Sequence, residues 1–188
     1  MPNPNDVLEA IRQGDAQQLE SLLASDAALA SARDENGVSA LMQAAYQRQF
    51  EMVEMLRSKK ESLDIFEAAA LGDEARLSAL LASDASLAHA WSADGFTPLH
   101  FTAFFRQPAC AKLLLAGGSD VGAVARNAMA VTPLHSAAAS REIAIARLLL
   151  EAGAGVDAWK STGIFLQTAE ILDASKLIRY VYTTGYGL

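Results

Sequence analysis

The sequence contains few side chains of the types that bind metals or act in catalysis, and these side chains are not spaced closely enough to suggest a shared site. The candidates for metal binding or nucleophilic catalysis are His89, His100, His135 and the single cysteine, Cys110. None of them has a second Cys or His at the short spacing that zinc ligands usually show. The sequence also lacks a glycine-rich phosphate loop, an HExxH pair and a nucleophile elbow. It therefore predicts no catalytic residue, no metal site and no cofactor.

Ordinary structural roles account for the remaining polar candidates. Cys110 lies in the apolar run ACAKLLLA, which predicts a buried and inert thiol. The acidic pairs Asp34-Glu35 and Asp73-Glu74 fall in a predicted loop and at a predicted helix start, where water or the helix dipole stabilises them. A carboxylate pair of the kind that glycosidases use is left open, but no feature of the sequence favours it.

The composition excludes several classes of protein. Of the 188 residues, 52% are hydrophobic and 20% are charged, which predicts a folded, helix-rich chain. The formal net charge of −7 argues against nucleic-acid binding, which normally uses a basic face. The sequence shows no signal peptide and no apolar run of the ~18 residues that a membrane span needs. One cysteine cannot form an internal disulfide, so we expect a cytoplasmic protein. From the charge and the lack of a long apolar run, we expect it to bind neither nucleic acid nor membranes.

An internal duplication organises the chain. Residues 6–56 align with residues 64–114 at a shift of 58 positions, and 21 of the 51 aligned pairs are identical. Six of these identities are alanine pairs, which composition alone could supply, but fifteen are not. The block LLASDAALA at 22–30, for example, returns as LLASDASLA at 80–88. Coincidence does not explain agreement of this extent.

Each duplicated unit divides again into two pairs of helices. Amphipathic runs with apolar residues at i, i+3 and i+4 alternate with glycines and polar loops, and Ser39 is a predicted helix N-cap. The last third of the chain continues the same pattern. The sequence therefore predicts a single domain over 1–188 that contains six pairs, near 6–30, 31–58, 64–88, 89–118, 119–154 and 155–182.

Two of the predicted pairs begin with the same motif, TPLH, at 97–100 and at 132–135. With Gly95 and Ala103 around the first copy and an LLL run after each, the chain resembles the ankyrin-repeat family, whose motif is G-x-T-P-L-H-x-A-A. The resemblance covers nearly the whole chain, because the duplication ties the weaker copies to the stronger ones. It implies an all-α fold, an α-solenoid of stacked antiparallel helix pairs joined by short β-hairpin-like loops, or fingers. It also implies that each motif histidine bonds the backbone of an adjacent repeat's loop.

The chain departs from the family pattern in three places. The first helices of the second, fourth and fifth pairs end at Arg48, Arg106 and Arg141, where the family usually has glycine. The second pair also reads SALM where the motif reads TPLH. In addition, only about five residues, SKKES, separate the second and third pairs. One finger should therefore be missing near 58–63, and we expect a notch or altered curvature in the row of fingers there.

Aromatic residues mark the predicted partner site. In this family partners usually bind the concave side, formed by finger tips and the exposed flank of the first helices. The resemblance places Trp91, Phe96, Phe104 and Phe105 on that side, with Tyr46 on the same flank. Because aromatic side chains dominate interface hot spots, these residues are predicted to bind a partner. The alternative is that some of them pack against neighbouring fingers, although two adjacent phenylalanines cannot both face the core.

Arg48, Arg106 and Arg141 would form a partial ladder along the same side, with Gln47 beside the first of them. One interpretation is that each arginine is a cation placed favourably at a helix C-terminus, worth about 0.3–1 kcal/mol. The other is that the ladder receives the carboxylates of an acidic partner segment. On the second interpretation, Gln47 and the three arginines join the predicted partner-binding residues.

These features predict a protein-protein interaction scaffold that has no chemistry of its own. Its partner is expected to be another protein, and the sequence leaves open both the partner's identity and whether the chain is a monomer. An inhibitor or immunity-like protein that blocks a specific enzyme is the alternative function. A small-ligand or enzymatic role is the third, which a deep polar pocket with converging acids would favour.

Overall fold

The structure, a computed structural model, describes residues 2–155, and within them ten α-helices form five helix–turn–helix pairs. The pairs are α1 (Pro4–Gln13) with α2 (Ala16–Ser25), α3 (Ala40–Tyr46) with α4 (Phe50–Lys59), α5 (Ile65–Leu71) with α6 (Glu74–Ser83), α7 (Pro98–Phe104) with α8 (Pro108–Ala116), and α9 (Pro133–Ser140) with α10 (Ile143–Glu151). The first helices pack against one another in the order α1, α3, α5, α7, α9. The predicted all-α solenoid is confirmed. Apart from residue 155, the sixth pair predicted near 155–182 lies outside the described residues.

Side-chain caps explain where the first helices begin. Ser39, the predicted N-cap of α3, accepts a hydrogen bond from the backbone N–H of Met42 at 3.3 Å. Thr97 and Thr132 are the N-caps of α7 and α9, and each is followed by proline at the first helical position. The missing N–H of proline costs nothing at that position, because it would have no partner inside the helix.

Small buried residues explain how the first helices can stack closely. One small residue occupies the same position in each first helix, four residues before the left-handed residue that follows the helix. These small residues are Ala10, Ala44, Ala68, Thr102 and Ala137. All five are completely buried. A larger side chain at this position would force neighbouring layers apart, and overpacking of this kind destabilises a well-packed core by about 1–3 kcal/mol. The stack therefore depends on many thin layers rather than on one thick core.

The duplication seen in the sequence is also present in the fold. Helices α2, α3 and α4 begin at residues 16, 40 and 50, and α6, α7 and α8 begin 58 residues later, at 74, 98 and 108. The two copies also share a short 3₁₀ helix, at Ala27–Ser31 and at Ala85–His89. Asp26 and Asp84 cap these turns through equivalent 2.9 Å hydrogen bonds from the backbone N–H two residues later. The two halves thus repeat in capping as well as in helix length.

Three fingers connect the pairs: the first finger at 32–39, the second finger at 90–97 and the third finger at 117–132. The first is pinched by an antiparallel bridge between Arg33 and Ser39. Between the second and third pairs there is no finger, since α4 ends at Lys59 and α5 begins at Ile65. The predicted missing finger is therefore confirmed.

The two fingers that flank the short link are in contact with each other. The first and second fingers lie against each other, so that a Cβ added at Gly37 would come within 3.2 Å of the Cβ of Ala93. Arg33 of the first finger also pairs with Asp64, the N-cap of α5, at 2.8 Å. The expectation was a notch or altered curvature at this point. Contact between the two flanking fingers argues against a notch, because the short link 60–64 places no residues between them, and altered curvature stays a prediction.

A buried carboxylate anchors the short link. The side chain of Glu67 in α5 is fully buried and pairs with Lys60 Nζ at 2.8 Å. The same carboxylate accepts a hydrogen bond from Ser39 Oγ at 2.7 Å and another from the backbone N–H of Asp64 at 3.1 Å. These partners satisfy both carboxylate oxygens and join the second pair to the third. No pattern in the sequence marks this ion pair.

We predict that Lys60→Met destabilises the protein by about 3 kcal/mol, because it leaves the buried charge of Glu67 without a counter-charge. Urea unfolding at neutral pH measures the free energy of unfolding. The double variant Lys60→Met/Glu67→Gln should recover most of the loss, since glutamine keeps a hydrogen-bonding group beside Ser39 and removes the charge.

Lys59→Met is the matched control, because Lys59 is the exposed neighbour of Lys60. We expect it to change the free energy of unfolding by less than about 0.5 kcal/mol. A Lys60→Met variant as stable as the Lys59→Met variant would show that the ion pair does not hold the link.

Candidate functional site

An apolar groove of about 330 Å³ lies between the third finger and the first helices α7 and α9. Its walls come from three sources: α3 and the second finger, the first helices α7 and α9, and the end of the third finger. The lining residues are Tyr46, Phe96, His100, Phe101, Phe104, Met129, Val131, His135, Ser136 and Ala139. Most of these side chains are apolar, so the groove can bind an apolar group and offers few polar contacts.

Four aromatic rings form one cluster at the end of the groove nearest α3. The ring of Tyr46 lies 6.4 Å from Phe101, 6.3 Å from Phe104 and 5.8 Å from Phe105, measured between centroids. Phe104 and Phe105 meet edge to face at 5.1 Å. Edge-to-face and tilted pairs at these distances add about 0.5–1.5 kcal/mol each beyond simple burial. The four rings therefore form one packed aromatic platform.

Part of this platform faces solvent. Tyr46 is 36% exposed and Phe104 is 45% exposed, while Met129 at the other edge of the groove is 64% exposed. Large apolar side chains are seldom grouped on the surface of a protein that has no partner. The groove is thus an exposed apolar patch with a defined shape.

A hydrogen bond fixes Tyr46 in place. Its hydroxyl donates to the carboxylate of Asp94 in the second finger, at 2.5 Å. Burial, with the hydrogen bond and negative charge of Asp94 as further causes, raises the pKa of Tyr46 far above its ordinary value. Helix α5 lies between α3 and α7 in the stack and carries Ala70 and Leu71 at the corresponding flank positions. Tyr46 therefore reaches from the second pair to the fourth.

The structure brings three of the predicted aromatic residues into the groove: Tyr46, Phe96 and Phe104. Phe105 lies behind them, half-buried and packed against the core. Trp91 is not brought into the groove; the guanidinium of Arg126 lies 4.1 Å from the centroid of its ring, in a cation–π contact between the second and third fingers. Gln47 is exposed just beyond the end of α3.

Three of the large apolar groove residues were not predicted from the sequence. Phe101 is almost fully buried in α7 and supplies the floor, while Met129 and Val131 come from the third finger. The only available signal was a pair of apolar residues, Met129 and Val131, in a segment that otherwise reads as a loop. That signal could not show which helices the loop faces.

The histidine of the first TPLH motif is neutral and structural. His100 Nδ1 accepts a hydrogen bond from the backbone N–H of Thr97 at 3.2 Å, so the proton is on Nε2, which donates to the carbonyl of Val131 at 3.0 Å. Burial lowers the pKa of His100 to about 4, with a smaller contribution from His135. The predicted bond to an adjacent repeat's loop is confirmed at His100. His135 accepts from Thr132 N–H in the same way, at 3.1 Å.

The three predicted arginines share an unusual backbone conformation. Arg48, Arg106 and Arg141 have φ values of 58°, 62° and 57°, in the left-handed region. Gly14 and Gly72 occupy the equivalent positions in the first and third pairs. All three arginine side chains are exposed, and within residues 2–155 none of them forms an ion pair or a hydrogen bond through its side chain.

Folding energy alone does not favour arginine at these positions. A left-handed conformation costs a non-glycine residue roughly 1–2 kcal/mol. A cation at a helix C-terminus gains only about 0.3–1 kcal/mol when it is exposed. The favourable charge interaction at the helix end therefore cancels the strain at best. Stability does not explain why these positions hold arginine rather than glycine.

Within residues 2–155 there is no candidate metal site and no activated cysteine. Residues 2–155 contain no cluster of three or more His, Cys, Asp or Glu side chains that could hold a metal ion. Cys110 is buried, and burial together with the nearby Glu74 and Asp73 raises the pKa of its thiol to about 11. Such a thiol stays protonated at neutral pH and is a poor nucleophile. Within the same range, every helix is too short or too polar to span a bilayer.

The family comparison covers half of the chain, including every groove residue except Tyr46. A family model described as ankyrin repeats, in three copies, matches residues 65–160. This range begins at α5 and includes both TPLH motifs and the third finger. None of the curated proteins matches the chain.

Acidification should weaken the fold through His100. The unfolded chain binds a proton at the ordinary histidine pKa of 6.5, whereas folded His100 stays neutral down to about 4. Its contribution to stability is therefore complete above pH 6.5 and is lost as the pH falls toward 4. We expect it to account for a loss of about 2–3 kcal/mol between neutral pH and pH ~4.5.

Urea unfolding of the wild type and of His100→Gln at both pH values measures this contribution. Glutamine can still accept the N-cap hydrogen bond but does not titrate, so the variant should lose less stability on acidification. His89→Gln is the control for the substitution itself, because His89 is exposed and the change leaves the buried surroundings of His100 intact. If His100→Gln lost as much stability as the wild type, another group would be responsible.

Proposed function

The chain belongs to the ankyrin-repeat family, and we propose that it is an interaction module that binds its protein partner in the groove between the third finger and helices α7 and α9. Ankyrin repeats generally serve as protein–protein interaction modules. The observation that carries the proposal is the exposure of Tyr46, Phe104 and Met129 around one apolar groove. Interface hot spots are typically aromatic residues around such desolvated pockets.

The rigidity of the groove supports this function. Tyr46 is fixed by Asp94, and its ring is held between the rings of α7. His100 fixes the third finger by its bond to the carbonyl of Val131, a residue that itself lines the groove. A site that is already ordered loses little conformational entropy on binding, so more of the contact energy appears as affinity.

Binding without chemistry is the function that these residues favour. The family is typically a non-enzymatic scaffold. In the groove, both ring nitrogens of His100 are occupied by hydrogen bonds within the protein, so this histidine is not available as a general base. We propose a cytoplasmic location on the basis of the single cysteine, since oxidising compartments favour disulfide-linked proteins.

Photo-crosslinking tests the site. With p-benzoylphenylalanine in place of Phe104, we expect irradiation in cells of the source organism to link the chain to a specific partner protein. The same photo-reactive residue at Ser78, which is exposed on α6 away from the groove, should not form that link.

The purified partner then allows a quantitative check. Phe104→Ala should weaken its binding at least tenfold, as expected for a central aromatic contact. Phe50→Ala is the matched control, because Phe50 is 72% exposed but lies outside the groove. Equal affinity of the Phe104→Ala variant and the wild type, measured by isothermal titration calorimetry, would rule out the groove as the binding site.

A further inference from the structure

The groove has an apolar interior, and two exposed arginines, Arg106 and Arg141, closely follow groove residues in the chain. These two features together specify a class of partner. We propose that the groove binds an acidic segment of a partner protein: one or two large apolar side chains enter the groove, and neighbouring carboxylates pair with Arg106 and Arg141. This inference rests on the proposed function and narrows it to one kind of ligand.

The position of the two arginines supports pairing with a ligand. Arg106 follows the groove residue Phe104 by two positions, and Arg141 follows the groove residue Ala139 by two positions. Each is the residue in which the chain turns left-handed after its helix, so both guanidinium groups start from equivalent places in adjacent first helices. Arginine binds carboxylates through two parallel hydrogen bonds, which makes it well suited to this task.

The backbone strain is the second observation. Glycine would fit the left-handed conformation without cost, and the chain uses glycine at Gly14 and Gly72. Strained residues persist where the strain serves a function, and they are concentrated at binding sites. At Arg106 and Arg141 this conformation carries an exposed cation that has no side-chain partner within residues 2–155, whereas at the two glycines it carries no side chain.

Within residues 2–155, no acidic side chain forms an ion pair with Arg106 or Arg141. Asp94 accepts hydrogen bonds from the hydroxyls of Tyr46 and Ser92, at 2.5 Å each. Glu142 caps α10 by accepting from a backbone N–H at 3.3 Å. Arg106 and Arg141 therefore keep their charge available for an incoming carboxylate.

The acidic net charge of the whole chain does not prevent this binding. The formal net charge is −7, which repels an acidic ligand at long range. At physiological ionic strength, however, exposed charges are screened beyond about 8 Å. A carboxylate in contact with Arg106 or Arg141 is therefore governed by the local positive charge. Added salt should weaken the bound state if the arginines hold it.

The volume of the groove sets the size of the apolar part. At about 330 Å³ it is close to the lower limit of the ~300–1,000 Å³ that ligand pockets usually show. It can hold one or two large side chains but not a long apolar helix face. Since its interior offers almost no hydrogen-bonding groups for a charge, the carboxylates of the ligand must lie at the border.

Selection from a phage-displayed library of random peptides tests the proposal directly on the full chain. We expect enrichment of peptides that combine Trp, Phe or Leu with neighbouring Asp or Glu. Their affinity should fall at least tenfold in the Arg106→Gly/Arg141→Gly variant and at high salt. The same double variant should unfold at a higher temperature than the wild type by about 2–8 °C, because glycine relieves the strain.

The variant Arg106→Lys/Arg141→Lys keeps the positive charges but removes the paired hydrogen bonds of arginine, so it should retain part of the peptide affinity. Arg147→Gly, at an exposed position on α10, is the control and should leave the affinity unchanged. Selected peptides that bind the groove but are neutral or basic would overturn the acidic ligand and leave the proposed function intact. Peptides that bind Phe104→Ala as tightly as the wild type, or no selected peptide at all, would overturn both.

Other occupants of the groove are recognised with p-benzoylphenylalanine in place of Phe104 in the purified chain. Crosslinking to a selected acidic peptide supports the proposal. A crosslink between two copies of the chain, or one to residues 156–188 of the same chain that peptide does not displace, would overturn it. Mass spectrometry of the linked fragments distinguishes the three results.

Discussion

The fully buried carboxylate of Glu67 is the interaction on which the rest of the stack depends. A family member normally separates successive helix pairs with a finger, but here the link 60–64 is too short to form one. Glu67 compensates by pairing with Lys60 from the link and accepting a hydrogen bond from Ser39 of the preceding pair. Because this contact joins the second and third pairs directly, the first and second fingers can meet at Gly37 and Ala93.

The missing finger also explains why the second pair lacks the TPLH motif. His100 needs the carbonyl of Val131 in the following finger as an acceptor for its Nε2 proton. Met42 occupies the equivalent helical position in the second pair, where no finger follows. A histidine there would bury an N–H group without that acceptor, at a cost of about 1–3 kcal/mol. A pair that is followed by a short link is therefore expected to lack the motif histidine. The replacement of TPLH by SALM is thus a consequence of the missing finger.

The sequence was sufficient to predict the local and periodic features but not the contacts between distant layers. Helix pairs, the duplication and the missing finger follow from spacing, and the role of His100 follows from a motif with a known hydrogen-bonding pattern. The ion pair of Lys60 and Glu67 could not be predicted, since surface and buried lysines look alike in a sequence. The separation of Trp91 from the groove, and the part that Met129 plays in it, depend on how the fingers close, which is set by side chains far apart along the chain.

The groove includes a contact between layers that are not adjacent in the stack, which is unusual for a repeat array. In a solenoid each layer normally contacts only its neighbours, so a site is built by adding independent layers. Tyr46 departs from this rule, because it extends from α3 past α5 to the rings of α7 and to Asp94. The geometry of a groove formed mainly by α7 and α9 is thus coupled to the second pair. Tyr46 bonds Asp94 of the second finger, and the same finger contacts the first finger at Gly37 and Ala93, so the aromatic platform and the short link that Glu67 anchors belong to one connected set of contacts.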